Sequence, residues 1–132
     1  MADIPIWAFA LAILAAWMVI RMLGRASASQ VREHSGNGAV IVDVRSPGEF
    51  EGDRVSKAVN VPLAEVGQRI VDHVDDRKTP ILCYCLSGAR SGAAVGQLKR
   101  LGYRNALNVG SLGRAKKLLD ASETSGEHRL EP

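Results

Sequence analysis

The chain has 132 residues, 46% of them apolar, with 17 basic against 14 acidic side chains and a formal net charge of +3. That length suits one small domain plus an appendage, and so slight and scattered a basic excess excludes a charge-driven nucleic-acid binder. Two cysteines two residues apart on one strand cannot build a disulfide framework. The three dispersed histidines, with no second Cys or His pair at ligand spacing, give no metal site.

The seventeen residues Ile4 to Ile20 carry no charge; Arg21 interrupts, and Met22 and Leu23 continue the apolar run. If Arg21 snorkels, a helix Ile4–Leu23 spans roughly 30 Å, the thickness of a hydrocarbon core, with Trp7 and Trp17 towards its ends. Three readings compete: an uncleaved membrane anchor (residues 4–23), a signal peptide cleaved near Ala28 in Ala26-Ser27-Ala28, and a buried helix. The n-region Met1-Ala2-Asp3 has no basic side chain and the run exceeds a usual h-region, which favours the anchor. Arg21, Arg25 and Arg32 on the C-terminal flank then place the domain on the cytoplasmic side, where a free thiol stays reduced. Cleavage would place it in the periplasm or outside the cell.

The chain divides into the anchor (1–24), a small, polar connector (25–38), a domain (39–120) and a polar, frayed tail (121–132). The domain opens with a buried β-branched strand, Ala39–Val44, after the turn Ser35-Gly36-Asn37-Gly38. Ser46-Pro47-Gly48-Glu49-Phe50 turns into a short helix, and Ala58–Val61 is a brief strand stopped by Pro62. Leu63–Val74 carries an apolar helical stripe, and Pro80–Cys85 is the third strand. A helix Ser91–Leu101 stops at Gly102, Ala106–Val109 is the fourth strand, and Arg114–Leu119 is a last helix. Strands alternating with helices predict an α/β domain with a mostly parallel sheet, which binds ligands at the carboxyl ends of its strands.

Cys85 stands at one such end. The loop Cys85-Leu86-Ser87-Gly88-Ala89-Arg90-Ser91 is built of small residues, so backbone N–H groups and a helix N-terminus converge on the sulfur. A thiolate there is stabilised and nucleophilic near neutral pH. Cys83 lies on the same face but deeper, as a resolving thiol or, better favoured, a small core residue. Asp43 and Arg45 close the first strand and organise the pocket floor. Arg90 either pairs with anionic oxygens of a substrate or ties the loop to a carboxylate such as Asp43. Ser87 and Ser91 add hydroxyl donors or cap the following helix.

Ile41-Val42-Asp43-Val44-Arg45-Ser46-Pro47-Gly48-Glu49-Phe50, Ala58-Val59-Asn60-Val61-Pro62, the Cys85 loop, Leu101-Gly102-Tyr103 and Asn108-Val109-Gly110 follow one another in an order and spacing that resemble the rhodanese family of sulfurtransferases. The likeness runs from about Val40 to Leu119, and the plan resembles a membrane-anchored single-domain type. The resemblance implies a small three-layer domain and a relay in which Cys85 takes a sulfane sulfur from a thiosulfate-like donor. The persulfide then passes that sulfur to a thiol, cyanide or a protein acceptor. It implies substrate binding by Leu86, Ser87, Gly88, Ala89, Arg90 and Ser91, and no cofactor beyond the covalent persulfide.

Three departures stand out. Asp53-Arg54 replaces a common Gly-His pair, Gly110-Ser111 replaces Gly-Gly, and Leu86 stands where thiosulfate-using relatives often carry Arg. A cysteine phosphatase or arsenate reductase is the rival enzyme class, but four residues between Cys85 and Arg90 make a shorter loop than the five such enzymes use. A non-catalytic binding module of the same fold would be marked by a lost nucleophile, and Cys85 is present.

Overall fold

The computed structural model describes residues 3–120. The tail assigned to 121–132 lies outside them. Helix α1 runs Ile6–Leu23 and α2 Ala28–Gly36, followed by β1 Val40–Asp43, α3 Pro47–Gly52 and β2 Val59–Asn60. A 3-10 turn, Leu63–Glu65, leads into α4 Val66–His73, then β3 Ile81–Cys85, α5 Ala89–Arg100 and β4 Ala106–Ser111. Helix α6, Leu112–Ala115, continues into a π turn, Lys116–Asp120.

The four strands form one sheet in the order β2-β1-β3-β4, every pair parallel. Side chains of β3 alternate between two cores, as the two-residue period of a strand demands. Ile81, Cys83 and Cys85 join Val66, Ile70, Ala94 and Leu98 from α4 and α5 on one face. Leu82 and Tyr84 join Val31, Ala115 and Leu119 on the other. All five β3 residues are buried, which explains why the strand reads as an unbroken apolar run. The order reverses between β1 and β3, so the crevice at their carboxyl ends is the topological switch point where open parallel sheets bind ligands.

The N-terminal expectation needs correcting. No helix among the described residues is long and apolar enough to cross a membrane. Ile4 and Pro5 lie outside α1, and the uninterrupted uncharged run of its 18 residues is the 15 before Arg21. That is about 22 Å of helix, short of a hydrocarbon core of roughly 30 Å. From Ile6 to Ile20 its side chains are exposed, apart from half-buried Ala8.

The segment expected as a connector contains α2, whose Ser27 and Gln30 form a reciprocal capping box. Val31 is fully buried. Ala26, in the candidate cleavage site, is also buried; its N–H donates to the Asn108 carbonyl at 2.8 Å, and its carbonyl accepts from Arg114 at 2.8 Å.

Candidate active site

Strand β3 carries Cys85 to the edge of the crevice, and the chain turns there through Leu86, Ser87 and Gly88 into α5. Gly88 has φ 98°, a left-handed conformation, and a Cβ on it would lie 3.3 Å from Gly110 Cα. Glycine is therefore required on two counts, conformation and close approach. The turn brings the Gly88 N–H to 2.9 Å from Cys85 Sγ and the Ser91 hydroxyl to 3.5 Å. Cys85 is only 1% exposed.

Burial alone pushes the Cys85 thiol up. Hydrogen bonds from the Ser91 hydroxyl and from the backbone N–H groups of Ser91, Ser87 and Gly88 outweigh it, and the net shift is downward. Cys83 behaves oppositely: fully buried, beside the charge of Cys85 and without such donors, it is pushed up to about 12. Two cysteines on one face of one strand are thus divided by their surroundings into one thiol whose ionisation is favoured and one whose ionisation is opposed.

The Ser91 hydroxyl has one proton and three acceptors in reach: Cys85 Sγ, the Gly88 carbonyl at 3.1 Å and Asn108 Oδ1 at 2.6 Å. A thiolate attracts that proton most strongly, and Asn108 accepts it when the sulfur is neutral. Asn108 is held by its own bonds: its Nδ2 donates to the Gly88 carbonyl at 3.1 Å, and its Oδ1 accepts from the Gly110 N–H at 3.0 Å. A bulge places it. Cys83 pairs with Asn108 but Tyr84 pairs with Gly110, so Val109 is the extra residue.

Arg90, the second residue of α5, forms a bidentate pair with Glu49 of α3 at 2.8 and 3.0 Å. The carboxylate that ties this arginine is therefore Glu49. Asp43 is taken by Arg45 in a buried fork with contacts of 2.7 to 3.1 Å, and Arg45 also reaches the Asp53 carbonyl. Asn60 Nδ2 donates to the carbonyls of Asp43 and Arg45 at 3.0 and 2.9 Å. Asp43 and Arg45 thus brace the exit of β1 and leave no free charge for substrate. Around the mouth, Leu86 is 59% exposed, Ser87 and Ala89 are exposed, and Arg90 and Glu49 are partly so.

Sequence reasoning passed over Asn108 and Glu49. Asn108 is the one polar side chain in the run 106–110, and Glu49 stands three residues after Ser46 as the partner of a capping box. Both signals were present. Among the described residues no cluster of His, Cys, Asp and Glu could hold a metal ion.

With this geometry in view, residues 27–112 match the Rhodanese-like domain family. The chain belongs to that family. It is 38% identical over 71 residues to the thiosulfate sulfurtransferase PspE of Escherichia coli strain K12, covering 54% of this chain and 68% of that protein. A sulfurtransferase of Allochromatium vinosum is 33% identical over 70 residues, covering 53% of this chain and 64% of its own length. This rhodanese-like chain spans 55% of a second relative, the uncharacterized protein YqhL of Bacillus subtilis. A solved structure of a rhodanese with anions from E. coli superposes with TM-score 0.56 at 36% identity, covering 58% of this chain and 89% of that one. The human single-domain sulfurtransferase TSTD1 shares the fold, with TM-score 0.60 at 20% identity over 71% of this chain and 96% of its own.

Proposed function

We propose that this rhodanese-like domain is a sulfurtransferase whose carrier is a persulfide on Cys85. The observation that carries the reading is the sulfur of Cys85, 2.9 Å from the Gly88 N–H and facing the Ser91 hydroxyl at the mouth of a parallel sheet. Donors arranged in this way stabilise a thiolate before reaction and a persulfide anion after it. The thiolate attacks the outer sulfur of a thiosulfate-like donor; the donor's S–S bond breaks and sulfite leaves with the bonding pair. A thiol, cyanide or protein thiol then attacks the outer sulfur of the persulfide, and Cys85 departs again as thiolate. Leu86, Ser87, Gly88, Ala89 and Ser91 line the approach, and Arg90 is the cation within the loop. Names of relatives at 38% and 33% identity support the sulfurtransferase class.

Incubating the full chain with thiosulfate and measuring intact mass tests the reading. A gain of about 32 Da, one sulfur atom, should map to Cys85 and vanish with cyanide. No adduct from any sulfane donor would overturn the proposal.

Membrane attachment and a cytoplasmic placement belong to the same proposal. Support for attachment comes from α1, whose exposed apolar side chains run from Ile6 to Ile20, and support for the placement from the free thiols of Cys83 and Cys85, which suit a reducing compartment. Flotation with lipid vesicles tests attachment, and a chain that stays wholly in the aqueous fraction refutes it.

A further inference from the structure

The Arg90–Glu49 pair does more than fasten a loop, because of where it lies. Glu49 follows β1 and Arg90 follows β3, so their bond closes across the crevice at the switch point, the place where a parallel sheet receives its ligand. The pair uses both guanidinium nitrogens that an anionic donor would seek. Glu49 remains ionised through the physiological range: its bond with Arg90 holds it down to about 2. Arg45, which follows β1, is committed to Asp43. A dianion approaching Cys85 thus meets the thiolate and the Glu49 carboxylate, with no unpaired arginine among these residues. Beside them the rim offers Leu86, 59% exposed, an apolar contact.

We infer that Glu49 is the donor-selecting residue of this site: by occupying Arg90 it disfavours dianionic donors such as thiosulfate and favours persulfides whose flanking group is uncharged and apolar. The inference rests on the sulfurtransferase reading above. With such a donor, the Cys85 thiolate attacks the terminal sulfur of R–S–SH. The donor's S–S bond breaks, R–S leaves as thiolate with the electron pair, and Cys85 becomes the hydropersulfide. No oxidant or reductant is required. Thiosulfate still reacts, at the cost of drawing Arg90 away from Glu49. Glu49 acts through Arg90 and is a positioning residue, not a catalytic one.

The experiment compares loading rates of Cys85, followed by mass, from thiosulfate and from n-propyl hydropersulfide in separate single-turnover reactions. Glu49→Gln keeps the side-chain length and the capping box with Ser46, since Gln serves at that position as Glu does. Freeing the guanidinium from a charged partner should raise the thiosulfate-to-persulfide rate ratio about tenfold, the equivalent of one charge-assisted hydrogen bond. Glu49→Asp keeps the charge and should hold the ratio within about twofold of the parent. Glu65→Gln removes an equal charge from an exposed pair with Arg69 and should leave the ratio unchanged. An unchanged ratio in Glu49→Gln, or an equal fall with both donors, overturns the inference and leaves the sulfurtransferase reading intact. A parent chain that loads from neither donor overturns the reading itself.

Discussion

Ser91→Ala tests the idea that a single hydroxyl sets the reactivity of Cys85. The substitution removes the proton donor 3.5 Å from the sulfur and leaves the 2.9 Å bond from Gly88 N in place. A hydrogen bond to a charged group contributes about 1.5–3 kcal/mol, and the long distance to sulfur places this one at the low end. About 1.4 kcal/mol is a factor of ten, so the thiolate population near neutral pH should fall by roughly that factor. The sign follows directly: losing a donor to the charged form raises the pKa, because the thiol no longer gains by ionising. Iodoacetamide alkylation of Cys85 measured against pH provides the assay. The variant's profile should move to higher pH, with the plateau rate at high pH retained. The fold survives the change, since Asn108 Oδ1 keeps the Gly110 N–H at 3.0 Å and its amide keeps the Gly88 carbonyl at 3.1 Å. A profile that superposes on the parent's would refute the argument, and with it the place of Ser91 among the causes of the depressed pKa.

Three other outcomes follow from the same geometry. Cys83→Ala should retain persulfide formation on Cys85, because a fully buried thiol pushed up to about 12 takes no part at neutral pH; loss of the sulfur adduct on mass analysis would make Cys83 a participant. Gly88→Ala should abolish loading and lower stability by about 1–2 kcal/mol in urea melts, from left-handed strain and the 3.3 Å approach to Gly110. Asp43→Asn leaves Arg45, 3% exposed, without its anion, and the cost of a broken buried pair, about 3–5 kcal/mol, should show as a lower urea midpoint at unchanged slope.

The strands and the position of Cys85 at the end of one of them were legible in the sequence because both depend on local pattern. A β-branched run marks β1, and an apolar run ending on a cysteine before small residues marks β3 and its loop. Boundaries were less legible. Helix α5 begins at Ala89, two residues before the expected Ser91, because Gly88 takes a left-handed conformation and the helix resumes at once. Arg90 is consequently a helical residue whose direction is fixed by α5, which points it at Glu49. That pairing depends on which strands are neighbours, which hydrophobic period does not encode. The same holds for Asn108, whose reach to Gly88 and Ser91 follows from a bulge opposite Cys83 and Tyr84. Hydropathy also overstated α1, since it counts Ile4 and Pro5, which lie before the helix, and reads through Arg21.

The catalytic strength of such a loop depends on how firmly its donors are aimed before the substrate arrives. The amide N–H of Gly88 faces the sulfur, while the Gly88 carbonyl is held on the opposite side by Asn108 Nδ2 at 3.1 Å. The N–H and the carbonyl belong to successive peptide groups joined at Gly88 Cα, so displacing Gly88 to take its N–H off the thiolate would also release that carbonyl inside a buried site. Each such release leaves an unsatisfied group at a cost of about 1–3 kcal/mol. The positive φ of Gly88 makes this opposed arrangement attainable, and the close passage of Gly110 leaves no room for a side chain there. Asn108 therefore does not touch the sulfur and still shapes the site, because it holds the Gly88 backbone and the Ser91 hydroxyl that face it.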